Sequence, residues 1–199
     1  NMAKIIAVSN QKGGVGKTTT SINLAAGLGY LGKKVLLVDF DPQGNATMAS
    51  GVSKFDLSKS ITNVLIDGLN IKDALVTETE GGFHLIPANE DLTAAEVNLL
   101  DKYGRESFLK KALETIKYDY DFVLIDCHPD FLTVTKNSIA ISHYILSPIE
   151  PSQYGFTSKS LLLERLANFK DEVIDVRSRE SYITAQTFFI GNRIRHNTK

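Results

Sequence analysis

Lys12-Gly13-Gly14-Val15-Gly16-Lys17-Thr18-Thr19 is the stretch that decides the fold. It lies between an apolar run, Ile5-Ile6-Ala7-Val8, and a segment that reads as a helix over residues 18–30. Glycines let a backbone wrap closely around an anion with no Cβ in the way. Successive N–H groups then point inward and form a nest for negative charge. A helix starting near Thr18 adds the positive end of its dipole. In a strand–loop–helix context, Lys17 supplies charge to the β- and γ-phosphates of a nucleotide. The Thr18 hydroxyl becomes a ligand for Mg²⁺. Gly13, Gly14, Val15, Gly16, Lys17, Thr18 and Thr19 are therefore the candidate nucleotide-binding residues.

Working outward, short apolar runs alternate with helical stretches. Strands are predicted over residues 4–9, 35–39, 83–87, 122–126, 144–147 and 183–191, and helices over 18–30, 61–66, 90–102, 106–116 and 157–170. Phe108, Leu109, Ala112, Leu113 and Ile116 share one face of their helix, as do Leu161, Leu162, Leu166 and Phe169 of the last one. Near-continuous apolar strands alternating with helices imply an α/β fold: a mostly parallel twisted sheet with helices on both faces. No repeat or linker divides the chain, so residues 2–199 read as one domain. The sequence stops about eight residues after the sixth strand, and we expect a C-terminal portion of the fold to be missing.

Composition narrows the class. Hydrophobic residues make up 43% and charged residues 23%, ordinary for a soluble globular protein. No apolar run is long enough to span a bilayer, and no secretory leader is apparent. The single cysteine, Cys127, excludes an intrachain disulfide and suits a reducing cytoplasm. The net charge of -1 gives no global attraction to nucleic acid. Locally, Arg177, Arg179, Arg193, Arg195 and Lys199 face only one acid, Glu180.

A phosphate loop needs a carboxylate for its metal and a group to orient water. Phe122-Val123-Leu124-Ile125-Asp126 is four apolar residues ending in an acid, which puts Asp126 at a strand end near the metal. Val38-Asp39-Phe40-Asp41-Pro42-Gln43-Gly44-Asn45 ends the second strand. Asp39 and Asp41 face the same side if that strand extends far enough. Read alone, Pro42-Gln43-Gly44-Asn45 is a turn.

The loop departs from the strict P-loop pattern, which has glycine where this chain has Gln11. It resembles instead the deviant Walker A motif of the ParA/MinD superfamily, whose mark is a lysine just before the glycine pair; Lys12 stands there. Residues 11–20, 35–47 and 122–129 carry a resemblance to the ParA/Soj family of DNA-partitioning ATPases. The resemblance implies a P-loop NTPase-like fold, with ATP/ADP and Mg²⁺ as cofactors. It gives Asp41 the water-orienting role, and Asp39 a place in the magnesium shell with Thr18 and Asp126. It also implies an ATP-dependent homodimer in which Lys12 reaches the partner's phosphates. The dimer would bind nonspecific DNA, and a ParB-type, centromere-binding adaptor would stimulate slow hydrolysis, in a nucleoid-associated cytoplasmic setting with no membrane partner.

Two positions are specific to this reading. The family usually continues after the Walker B acid as Cys-Pro-Pro, whereas this chain has Cys127-His128-Pro129-Asp130. An Asn near the end of the sixth strand contacts adenine in related proteins, which maps to Asn192. We expect Arg193, Arg195 and Lys199 to join a basic face for DNA, through salt-sensitive, sequence-blind phosphate contacts. The alternatives are a MinD-like ATPase cycling on membranes, a metal-cluster ATPase of the same superfamily, and a DNA-coating protein that barely turns over. The second needs cysteine pairs that one Cys127 cannot supply.

Overall fold

A computed structural model describes residues 1–175 and 177–192. Six strands form one sheet: β1 (Lys4–Val8), β2 (Val35–Phe40), β3 (His84–Ile86), β4 (Phe122–Cys127), β5 (Tyr144–Ile149) and β6 (Gln186–Gly191). Their order is β3-β2-β4-β1-β5-β6, and every neighbouring pair is parallel. The helices are α1 (Lys17–Tyr30), α2 (Asn45–Ala49), α3 (Ile61–Ile66), α4 (Leu92–Leu100), α5 (Phe108–Leu113), α6 (Thr133–Ile141) and α7 (Gln153–Glu172). This is the α/β, P-loop NTPase-like architecture expected.

Period-two alternation along β2 divides the core. Val35 and Leu37 face α1, joining Ala25, Phe83, Leu85 and Leu124. Leu36, Val38 and Phe40 face the other way, into the larger cluster that holds α3 to α7. A sheet buried on both faces needs apolar residues at every position, which is why the strands read as unbroken apolar runs. All six residues of β2 are buried.

The parallel register positions the site. β4 lies between β2 and β1, pairing Asp126 with Asp39 on one side and with Val8 on the other. The carboxyl ends of three adjacent strands thus reach one level, where the glycine loop leaves β1. Ligands of open parallel sheets bind at this edge.

Three expectations are corrected. β2 ends at Phe40, so the chain turns before Asp41 and the two acids do not share a strand face. Leu161 is 38% exposed, while Leu162, Leu166 and Phe169 are buried. α7 begins at Gln153, not near residue 157, because the Ser152 side chain accepts from Gly155 N at 3.2 Å and caps it. Two helices, α2 and α6, have no counterpart among the elements that the sequence pattern predicts.

Phe169 is buried and meets Phe131 edge-on at 6.1 Å between ring centroids. Phe169→Ala removes that pair and leaves a cavity where α7 packs on the segment around Phe131 and Lys136. It should cost about 3–5 kcal/mol, read as a lower midpoint in chemical denaturation with an unchanged m-value; a shift under about 1 kcal/mol would contradict this packing.

Candidate nucleotide site

The loop from Asn10 to Thr19 is held by its first side chain. Asn10 is fully buried; its Nδ2 donates to Pro148 O at 2.8 Å, and its Oδ1 accepts from Lys12 N at 2.8 Å. The loop's start is thereby tied to the end of β5. Gly14 and Gly16 have positive φ, 73° and 94°, which any other residue would adopt only under strain. Gly16 also caps α1, and a Cβ there would displace Asn192 Nδ2.

Lys17, at the head of α1, is buried, and its Nζ donates to Lys12 O at 3.0 Å. Burial lowers its pKa, against the pull of nearby Asp126, Cys127 and Asp41. Thr18 Oγ1 donates to Asp126 Oδ2 at 2.7 Å, and Ser21 Oγ to Asp126 Oδ1 at 2.9 Å. Asp126 is buried, which pushes its pKa up to about 6 despite those two hydroxyls. A buried carboxylate of this kind gains from a nearby cation.

Asp39, expected in the magnesium shell, is engaged by the chain itself. It is fully buried, and both of its oxygens accept hydrogen bonds. Oδ2 accepts from Thr47 N at 2.8 Å and Thr47 Oγ1 at 2.7 Å, and Oδ1 accepts from Asp41 N at 3.2 Å. Thr47 Oγ1 in turn accepts from Ala88 N at 2.9 Å. Asp39 therefore fastens α2 and the loop before it to the sheet. Burial raises its pKa to about 7, with the charge on Asp126 adding to the effect.

Asp41 lies where the cleft opens. With Gly13, Gly14, Gly16, Lys17, Thr18, Thr19, Gln43, Asn45, His128 and Pro129 it lines a cavity of about 370 Å³. Its Oδ1 accepts from Gln43 N at 2.9 Å. His128 stands across from it, with Nε2 3.9 Å from Asp41 Oδ1 and Nδ1 2.9 Å from Asp130 Oδ2.

The hard oxygen donors here, Thr18 Oγ1, Asp126 and Asp41, suit Mg²⁺. That ion takes one or two protein oxygens and fills its octahedron with phosphate and water. It does not require a dense acidic cluster, and among the described residues no group of three His, Cys, Asp or Glu side chains forms one. Lys17, Thr18, Asp41 and the glycines converge on one cleft. Asp39 sits behind it. Asn192 reaches the loop, its Nδ2 donating to Val15 O at 2.7 Å. Lys12 points elsewhere: its Nζ is 3.1 Å from Glu150 Oε2. Arg193, Arg195 and Lys199 lie outside the described residues. Sequence reasoning missed Asn10, Thr47 and Glu150. No local pattern could reveal Glu150, because its partner is 138 residues away.

Comparison with known proteins shows the family. The AAA_31 family model, an AAA domain, matches residues 3–178. The chain is 44% identical over 162 residues to the sporulation initiation inhibitor protein Soj of Bacillus subtilis, covering 81% of this chain and 64% of that protein. A Mycobacterium smegmatis structure named cobyrinic acid a,c-diamide synthase, with bound ATP analogue and magnesium, superposes at TM-score 0.83. It is 34% identical and covers 94% of this chain and 74% of its own. A Borrelia burgdorferi structure named plasmid partition protein gives TM-score 0.80 at 26% identity, covering 99% and 81%. The chain spans 54–64% of the length of the curated relatives it matches.

The buried Asp39 makes a prediction about pH. Its folded pKa near 7 lies above the unfolded value of 3.8. Between these values the folded chain binds the extra proton, so this group's contribution to stability falls as pH rises and levels off above about 7. Thermal melts in Mg²⁺-free buffer from pH 4.5 to 8 should show Asp39→Asn flattening a downward slope present in the parent. Parallel curves for the two proteins would contradict it.

Proposed function

We propose that this chain, which belongs to the AAA_31 family of AAA domains and stands in its ParA/Soj branch, is an ATP-dependent DNA-partitioning ATPase. The observation that carries the reading is the Thr18–Asp126 hydrogen bond beside a glycine nest that Lys17 and Asp41 both border. It sets a metal-competent pair of oxygens next to a phosphate cradle, with a second carboxylate opposite. Names of relatives support the partitioning role: the chromosome-partitioning ATPase Soj of Treponema pallidum and the chromosome partitioning protein ParA of Myxococcus xanthus. The neighbour named a diamide synthase shares the fold, so the fold alone does not choose the biological task.

On this reading residues 2–199 form one P-loop ATPase domain. Phosphates of ATP seat against the N–H groups of Gly13 to Thr19. Lys17 Nζ exchanges the carbonyl of Lys12 for phosphate oxygens, a small movement because the two compete at one place. Thr18 and Asp126 would hold Mg²⁺, which would supply positive charge beside the phosphates. Asp39 stands behind them, fixing α2. Asp41, held by Gln43 N, orients the water that attacks the γ-phosphate. Asn192 borders the adenine end.

Loss of the γ-phosphate frees the segment from Asp41 to Asn45, a local charge change that biases two quaternary states. In the ATP state two copies pair, and Lys12 of each serves the other's phosphates. The pair presents Arg193, Arg195 and Lys199 to nonspecific DNA, and a ParB-type adaptor accelerates hydrolysis. Among the described residues no helix is long and apolar enough to cross a membrane.

Retention on nonspecific duplex DNA tests this. Asp41→Ala, which binds ATP but hydrolyses it slowly, should be retained with ATP·Mg²⁺ and not with ADP, and retention should fall steeply with salt. Lys17→Ala should abolish retention. Equal retention with ATP and ADP, or none in a protein that binds ATP, would contradict the DNA switch; vesicle flotation would then test membrane cycling.

A further inference from the structure

Lys12 belongs to the phosphate loop, yet its side chain does not border the phosphate cleft. Its Nζ lies 3.1 Å from Glu150 Oε2 and 5.8 Å from the centroid of the Tyr154 ring. Glu150 stands on the turn from β5 into α7, and Tyr154 in the first turn of α7. The β5–α7 turn is rigidly built. Ser152 N donates to Glu150 O at 2.8 Å, and Asn192 N to Ile149 O at 2.8 Å. Gly155 presses so closely on the Glu150 carbonyl that a Cβ there would overlap it. The loop's other end is also pinned here, through Asn10 Nδ2 on Pro148 O. The two lysines are coupled, since the carbonyl of Lys12 holds Lys17 Nζ.

We propose that Glu150 is a positioning residue that holds the Lys12 ammonium in cis on the β5–α7 turn, so that pairing of two chains over ATP must first break this contact. The inference rests on the proposed role of Lys12 in the paired state. Glu150 draws the Lys12 ammonium toward its own chain, and the phosphates of a second copy would draw it the other way. Glu150 therefore competes with those phosphates for the same charge. Tyr154 adds a π face that favours the held position. The contact is partly exposed, with side chains 38% and 23% accessible, so it is weak enough to be reversible. Its effect is to raise the chain concentration needed for pairing, and to leave Lys12 away from its own cleft until a partner arrives.

Sedimentation velocity with ATP·Mg²⁺, in the Asp41→Ala background, reads the concentration at which half the chains are paired. Glu150→Gln should lower it by about threefold, in the range open to an exposed ion pair. Glu150→Asp, which keeps the charge, should lie closer to the Asp41→Ala value. Lys12→Ala should itself raise the midpoint, because it also removes the contact across the pair; on top of that raised value, changing Glu150 should add no further shift. A far-ultraviolet thermal melt of each variant confirms that it is folded. An unchanged midpoint for folded Glu150→Gln, or the same shift in the absence of Lys12, would overturn the positioning role. If Asp41→Ala itself never pairs with ATP, the reading beneath the inference fails instead.

Discussion

A buried carboxylate gripped by two hydroxyls fixes the whole arrangement. Asp126 takes hydrogen bonds from Thr18 and Ser21, one turn apart on α1. Hydrogen bonds to a carboxylate are stronger than neutral ones, and leaving this group unpaired in the interior would be costly. The pair of contacts therefore sets the rotation and tilt of α1 against β4. With α1 so placed, its amino end points into the space above the sheet, and the glycine loop must close the gap from β1. The phosphate nest follows from that geometry. The same carboxylate sits buried behind Thr18, which lines the cleft, with its pKa raised by burial, and a cation there would relieve the cost of its charge.

The parallel register extends this constraint sideways. Asp39 pairs in register with Asp126, yet the two acids do different work. Asp126 meets the helix that carries the loop. Asp39 turns inward and binds Thr47, and through it the chain at Ala88. The two ends of the segment after β2 are held differently. Asp39 supplies the fixed end at the sheet, and Asp41, two residues on, faces the cleft. Their spacing in sequence looks symmetrical, but β2 stops between them.

Much of this was legible in the sequence, for a physical reason. A strand buried on both faces is an unbroken apolar run, and a phosphate loop needs glycines and a lysine at fixed spacing. What stayed hidden is stabilised from afar. Thr133-Val134-Thr135-Lys136-Asn137-Ser138 has little intrinsic helix preference. It forms α6 because Glu96 accepts from Thr133 N and Val134 N at 2.8 and 2.9 Å, and because buried Asn137 binds the backbone at Arg105 and Leu109. α2 hides in a stretch whose Pro42 and Gly44 read as a turn; Gly44, at φ 61°, is in fact the residue that caps it. The Lys12–Glu150 contact joins two ends of the chain that no local pattern connects.

The central claim is that the cleft at the carboxyl edge is a magnesium-dependent ATP site. Isothermal titration of ATP into the parent chain, once with Mg²⁺ and once with chelator, tests it most directly. The account predicts one ATP per chain and an affinity that weakens about tenfold or more without the metal. Absence of binding, or binding indifferent to Mg²⁺, would contradict it.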